Sequence, residues 1–273
     1  MLFQSTYALA SASCWKKTQL PQKTATTFIL AMGANTGKLE KTNSDAQALA
    51  NALQKRFNVP ISNICVLKNV KRYEFNNALE NLQKLVRKSD KVFLYFSGHG
   101  DQVKDKNYDE DDNRQTSCYD EALVIFHDIF KEADSISDDL FVGQVNKISD
   151  KGAIVTTILD SCFSGGMLRG TKNYLDMKSK LWFTDNEADT PEKKDCPSSN
   201  IKKLKGTVYM ASKENQQSWE YPNGGIFTTT LVDNMRKYPY GELNEIFDIT
   251  AEQVSRETKQ RGEGKWQEPQ RKP

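Results

Sequence analysis

The 273-residue sequence predicts an α/β fold built on a mainly parallel sheet, and three observations carry that reading. Two apolar runs, residues 91–100 and 154–166, each stop abruptly at a polar, glycine-bearing turn. That is the pattern of buried parallel strands that deliver residues to their carboxyl ends. Around them lie stretches with apolar residues at helical spacing, and such strand–helix alternation implies right-handed crossovers.

Taken in order, residues 26–32 (Thr-Thr-Phe-Ile-Leu-Ala-Met) read as a first strand closed by a loop containing Gly33, Gly37 and Lys38. The loop suggests a phosphate cradle, but it is one residue short of the Walker spacing and lacks Ser or Thr after the lysine. A helix is expected near Asn43, Ser44 and Asp45, which are good capping residues, with Ala46, Leu49, Ala50, Leu53 and Phe57 facing a core. Residues 64–67 form a second short strand in which Cys65 reads as packing. Residues 74–86 form a helix with Phe75, Leu79, Leu82 and Val86 on one face.

After the strand that ends at His99, residues 101–119 are polar and acidic, the character of a solvated loop. Residues 118–126 read as a strand and 137–147 as a capped helix. His127, just past a strand end, has no glycine loop or nucleophile beside it and reads as structural. Residues 167–205 lack periodicity and carry many Lys and Arg side chains, with Pro191 and Pro197. A piece this long without a pattern is normally functional or disordered. Residues 206–210 read as the last strand, 211–220 as a loop, 225–235 and 243–259 as helices, and the tail after Gly262 as frayed. The resulting organisation is a leader (1–25), a large part (26–166), a linker (167–205) and a small part (206–273) of one domain.

Composition narrows the function. With 38 basic and 36 acidic residues the charge is nearly balanced, so nothing draws the chain to nucleic acid or membrane as a whole. No stretch has the length of a membrane span. Cys14, Cys65, Cys118, Cys162 and Cys196 show no spacing of a zinc site or disulfide framework, which is compatible with a reducing compartment. Residues 8–14 end in small residues, like the tail of a secretory signal, but no Lys or Arg precedes them. A cytoplasmic location is favoured; a truncated signal would make the protein secreted or periplasmic.

The chemistry lies where the two main strands end. One presents His99 between two glycines, the other presents Cys162 after Asp160 and Ser161. An imidazole beside a thiol can take or share its proton and so raise its reactivity. The N–H groups of Gly100 and Cys162 could form an oxyanion hole, each well-placed donor contributing on the order of 3 kcal/mol. The plain alternatives are a turn at 97–100 and a small buried hydrophobe at 162.

Ser97-Gly98-His99-Gly100 together with Asp160-Ser161-Cys162-Phe163-Ser164-Gly165 resembles the catalytic pair of the caspase-like cysteine peptidases, closest to the metacaspase and paracaspase branch. The Gln-Ala-Cys signature of the caspases proper is absent. The resemblance runs from about Phe28 to the C-terminus. It implies a caspase-like three-layer sandwich with a central sheet of about six strands and helices on both faces. It further implies an acidic pocket for the residue before the scissile bond, formed here by Asp45, Asp160 and Glu220 with Ser97 on the wall. Such carboxylates attract Lys or Arg and penalise Asp.

The resemblance also carries a calcium expectation. Aspartates matching Asp120, Asp138 and Asp139 would supply oxygen ligands suited to Ca²⁺. The family's further aspartate, seven residues after the nucleophile, is here Arg169, so calcium is not expected to be required. Self-cleavage at basic residues of the linker, protein or peptide substrates and a monomeric state are the remaining implications. A silent caspase-fold scaffold is the rival reading. An α/β hydrolase would need a Gly-x-Ser-x-Gly elbow, which the sequence lacks.

Overall fold

A computed structural model describes residues 14–15, 25–104, 119–127, 133–162, 177–180, 182, 203–213, 216–262 and 266–273. The first half runs β1 (Thr27–Gly33), α1 (Thr42–Phe57), β2 (Ile64–Lys68), α2 (Arg72–Leu85), β3 (Lys91–Ser97), β4 (Gly100–Lys104), β5 (Tyr119–Phe126), β6 (Ala133–Ser137), α3 (Asp138–Ser149) and β7 (Ile154–Asp160). The second half runs β8 (Lys178–Ser179), β9 (Thr207–Met210), β10 (Trp219–Tyr221), β11 (Gly224–Gly225), α4 (Ile226–Lys237), α5 (Leu243–Gln260) and β12 (Gln270–Lys272).

The central sheet has six strands in the order β12-β9-β7-β3-β1-β2. Its first five strands in sequence are parallel to one another, and β12 closes the edge antiparallel to β9. Both faces are covered, so the strands are continuous apolar runs whose alternate residues go to opposite cores. Phe28, Leu30 and Met32 join Leu94 and Phe96 under α2 and α3. Ile29 and Ala31 join Phe93, Tyr95 and Ile158 under α1, α4 and α5. Three layers result.

Helix burial follows the expected stripes. Helix α2 buries Phe75, Ala78, Leu79 and Leu82, each large side chain contributing about 1.5–3 kcal/mol. Its first turn is fixed by Glu74, which accepts from the Lys71 N–H at 3.1 Å. Two small three-stranded sheets accompany the central one, in the orders β4-β5-β6 and β11-β10-β8.

Several expectations change. The acidic stretch read as loop from residue 101 begins as β4, because Gly100 to Lys104 pair antiparallel with β5. The tail read as frayed is ordered as β12. Its anchor is Gln267, which is fully buried, bonded to the Ala211 carbonyl and the Trp219 N–H, and invisible to a pattern of apolar spacing. Cys65, read as packing, is joined to Cys14 in a disulfide with a Cα–Cα separation of 5.6 Å. Fifty-one residues separate the pair, so no local spacing announces it. Trp15 beside it packs edge-on against Phe28 at 6.1 Å.

Candidate active site

The site begins with register. Strands β3 and β7 are neighbours, and Ser97 at the end of one pairs with Asp160 at the end of the other. The Gly98 N–H then donates to the Asp160 carbonyl at 3.3 Å. His99 and Cys162 therefore leave adjacent strand ends at the carboxyl edge of the sheet. The approach is so close that a Cβ on Gly100 would lie 1.6 Å from the Cys162 carbonyl oxygen. Only glycine fits there.

His99 is buried, with Nε2 3.2 Å from the Thr36 carbonyl. A carbonyl only accepts, so Nε2 carries a hydrogen toward Thr36, and the Lys180 carbonyl also acts on the ring. Burial lowers the imidazole pKa to about 4. Cys162 is also buried, and its Sγ accepts from the Ser218 N–H at 3.0 Å. Burial pushes the thiol up to about 12. Both shifts favour the neutral forms, a thiol at Cys162 and an imidazole at His99.

The acidic pocket is filled by the chain's own Lys180. Its ammonium is fully buried and uses its three hydrogens on Asp160 Oδ1 (2.9 Å), Ser97 Oγ (2.9 Å) and the Asp160 carbonyl (3.2 Å), with Asp45 Oδ2 3.7 Å away. Burial works against the charge, but Asp160 and Asp45 outweigh it and raise the lysine pKa. Asp45 itself is pushed up to about 6, chiefly by burial, against the pull of Lys180.

The backbone of this segment is equally telling. The Lys180 carbonyl accepts from the Gly100 N–H at 2.8 Å, the donor expected to hold an oxyanion. The Lys180 N–H donates to the Ser218 carbonyl at 2.9 Å, and the Trp182 N–H donates to the Gly100 carbonyl at 2.9 Å. The Trp182 ring stands edge-on to His99 at 5.2 Å.

Of the expected pocket residues, Asp45, Ser97 and Asp160 meet around the ammonium. Asp45 is not the helix cap that its position suggests: α1 starts at Thr42, and Asp45 turns inward to accept from the Ser97 hydroxyl and the Gly225 N–H. Glu220 acts on the Lys180 charge from further off. It accepts the N–H groups of Glu40 and Lys41, each at 2.9 Å, and lies 3.9 Å from Lys178 rather than beside Lys180. Asp138 and Asp139 open α3, and Asp139 N–H donates to the Asp138 carboxylate at 2.9 Å. Asp120 is in β5, and its side chain lies outside the described residues. Among the described residues no three His, Cys, Asp or Glu side chains gather as a metal cage. Most of the 167–205 linker, including Arg169, also lies outside them.

Sequence reasoning missed Lys180, Ser218, Thr228 and the Gly224-Gly225 pair. Ser218 Oγ and Thr228 Oγ1 donate to the two Asp160 oxygens at 2.7 and 2.6 Å, locking the carboxylate. A Cβ on Gly225 would lie 2.3 Å from Asp160 Oδ2 and 2.7 Å from Lys180 Nζ, so this glycine forms a pocket wall. Adjacent glycines just before a helix were the one available signal.

The caspase-domain family profile matches residues 26–272. Metacaspase-1A of Neurospora crassa is 43% identical over 95 residues, covering 34% of this chain and 19% of that protein. Metacaspase-1 of Candida albicans is 32% identical over 146 residues, covering 52% of this chain and 27% of that protein. The chain thus matches well under half the length of these curated relatives. Among solved structures, a Geobacter sulfurreducens protein superposes with a TM-score of 0.63 at 19% identity, covering 90% of this chain and 92% of that one. Caspase-1 of Spodoptera frugiperda gives 0.54 at 13% identity, covering 91% and 85%. At such identities these two speak for the fold.

Proposed function

Because the chain belongs to the caspase-domain family, we propose that it is a cysteine endopeptidase cutting after Lys or Arg through Cys162 and His99. The observation that carries the specificity is Lys180, whose ammonium occupies the acidic pocket while its carbonyl accepts from Gly100. A peptide in that pose has its carbonyl polarised and a basic side chain paired.

His99 Nδ1 takes the Cys162 proton as Sγ attacks the carbonyl carbon. The oxyanion that forms is held by Gly100, in the position now taken by the Lys180 oxygen. His99 returns the proton to the leaving amine, the C–N bond breaks, and water hydrolyses the thioester. Asp160 sets the charge of the pocket, Ser97 and Asp45 complete it, and Glu220 braces the loop before α1. The linker residue Lys180 is the chain's own cleavage point, so the intact chain is latent. Substrates are proteins or peptides with a basic residue before the scissile bond, and the enzyme acts as a monomer.

Hydrolysis needs no calcium in this reading. Asp120, Asp138 and Asp139 are the oxygen donors that would take Ca²⁺, and Arg169 puts a cation where a fourth should be.

Paired fluorogenic peptides ending in Arg and in Asp test the assignment. Once the chain has been incubated long enough to cut itself after Lys180, cleavage of the Arg peptide at equal rates in chelator and in calcium, lost in Cys162→Ala, is expected. Silence on both peptides from folded protein would favour the scaffold, and cleavage only with calcium would overturn the metal-independent account.

A further inference from the structure

Gln267 lies just ahead of the last strand, yet its fully buried side chain ends beside Ser218. Nε2 donates to the Ala211 carbonyl at 2.8 Å and to the Ser218 hydroxyl at 3.4 Å, while Oε1 accepts the Trp219 N–H at 3.2 Å. Ala211 is in turn tied to β7: its N–H donates to the Leu159 carbonyl at 2.9 Å, one residue before Asp160. The amide therefore fixes the spacing between the β7 end and residues 218–219. Its own backbone is held from α5, where Thr258 Oγ1 accepts the Gln267 N–H at 3.0 Å and donates to the Val254 carbonyl at 2.8 Å. A buried amide bonded at both ends is a rigid spacer, because removing it strands buried partners without hydrogen bonds.

Ser218 is the residue that needs placing. Its N–H meets Cys162 Sγ at 3.0 Å, its hydroxyl donates to Asp160 Oδ1 at 2.7 Å, and its carbonyl accepts the Lys180 N–H at 2.9 Å. Thiol, pocket carboxylate and the main chain of the seated residue all meet on this one serine. We propose that Gln267 is a positioning residue of the active site: it sets Ser218 and, through it, holds Asp160 and the Cys162 thiol in place together. The inference rests on the reading of Cys162 as a peptidase nucleophile with Asp160 in its cation pocket. Gln267 touches neither the substrate nor the thiol, and acts as the support that keeps a working constellation within narrow limits.

The test compares full-length wild type, Gln267→Met, Gln267→Glu and Leu79→Ala, each incubated until it has cut itself after Lys180. Two coumarylamide peptides are used, differing only in Arg or its neutral isostere citrulline before the cut. The ratio of their kcat/KM values reads the placement of Asp160 and is independent of how much enzyme is folded. Gln267→Met, which keeps the length but none of the side-chain bonds, should shrink that ratio by roughly two- to tenfold, the net worth of one hydrogen bond. Its kcat/KM on the Arg peptide should fall by about tenfold or more, the cost of a misplaced reacting group. Gln267→Glu at pH 6, where so buried a carboxyl is protonated and donates as the amide does, should recover most of the ratio. Leu79→Ala, in the core under α2, should lower the unfolding temperature and leave the ratio alone. A folded Gln267→Met chain that never cuts itself, beside a Leu79→Ala chain that does, is the extreme form of the same result. A ratio unchanged in Gln267→Met, or shrunk equally by Leu79→Ala, would overturn the assignment, and so would failure of both Gln267 variants to fold, which would make the residue structural. Silence of the wild type on the Arg peptide would instead remove the peptidase reading beneath it.

Discussion

Asp160 shows how much a single side chain does here. Its two oxygens take Ser218, Thr228 and the Lys180 ammonium, and its carbonyl takes Gly98 and Lys180 again. A buried carboxylate so placed is stabilised only while its partners stay, since an uncompensated charge at such depth costs several kcal/mol. The gathering of Ser97, His99, Asp160 and Cys162 at one sheet edge was legible because motif and strand end coincide, whereas Asp45, inside α1, was carried by the resemblance alone. Lys180 was not legible, because a lysine in a basic linker reads as solvated, and only tertiary contact reveals that it is fully buried. Burial of Cys162 itself governs the thiol, with the Ser218 N–H and the Lys180 ammonium pulling the other way. With its pKa at about 12 rather than the ordinary 9.0, Cys162 is almost entirely protonated near pH 8. Iodoacetamide should therefore modify it roughly a thousandfold more slowly than an ordinary cysteine, reactivity following thiolate fraction. The Lys180 ammonium pulls the thiol down, so Lys180→Ala should not lower the pH midpoint of alkylation; a midpoint near that of a free thiol in the wild-type protein would contradict the buried thiol.

At the scale of elements, β1, β3 and β7 were legible as apolar runs ending on glycine or polar turns. The short pieces β8, β10, β11 and β12 were not, because two or three residues carry no periodicity and exist only through their partners. The helices were legible, yet the start of α1 lies ahead of Asn43, as Asp45 is used by the pocket instead of the cap. The meeting of the β3 and β7 ends depends on Gly100. Replacing it by Ala forces a Cβ to 1.6 Å from backbone, a clash no rotamer relieves. Gly100→Ala should fail to fold or lose more than about a hundredfold in hydrolysis, the scale of a lost oxyanion donor. Gly143, inside α3 with open space at its Cβ, makes the contrast: Gly143→Ala should stabilise by roughly 0.5–1 kcal/mol in chemical denaturation. The reverse ranking would show that the strand ends are not so tightly juxtaposed.

Across the whole molecule, the sandwich and its two cores followed from alternation of strand and helix, whereas the bond between Cys14 and Cys65 did not. It ties the segment before β1 to the edge strand β2, closing a sequence separation of 51 residues. Closing a loop of that length stabilises by about 2–4 kcal/mol. Reductant should lower the unfolding temperature by roughly 5–10 °C, and Cys14→Ser should be lower from the start and indifferent to reductant. A wild-type melting curve unmoved by reductant would rule the tether out. The same topology would account for the proposed latency: the chain leaves β7 at Asp160 and returns through residues 177–180 across the edge it has just built. Lys180 thus reaches the pocket from within its own chain.

The most direct measurement is the sequence of the new N-terminus formed when the full chain is incubated alone. A fragment beginning at Leu181, absent from Cys162→Ala, is the predicted result. An intact chain after prolonged incubation, or the same fragment from the Cys162→Ala protein, would contradict the account.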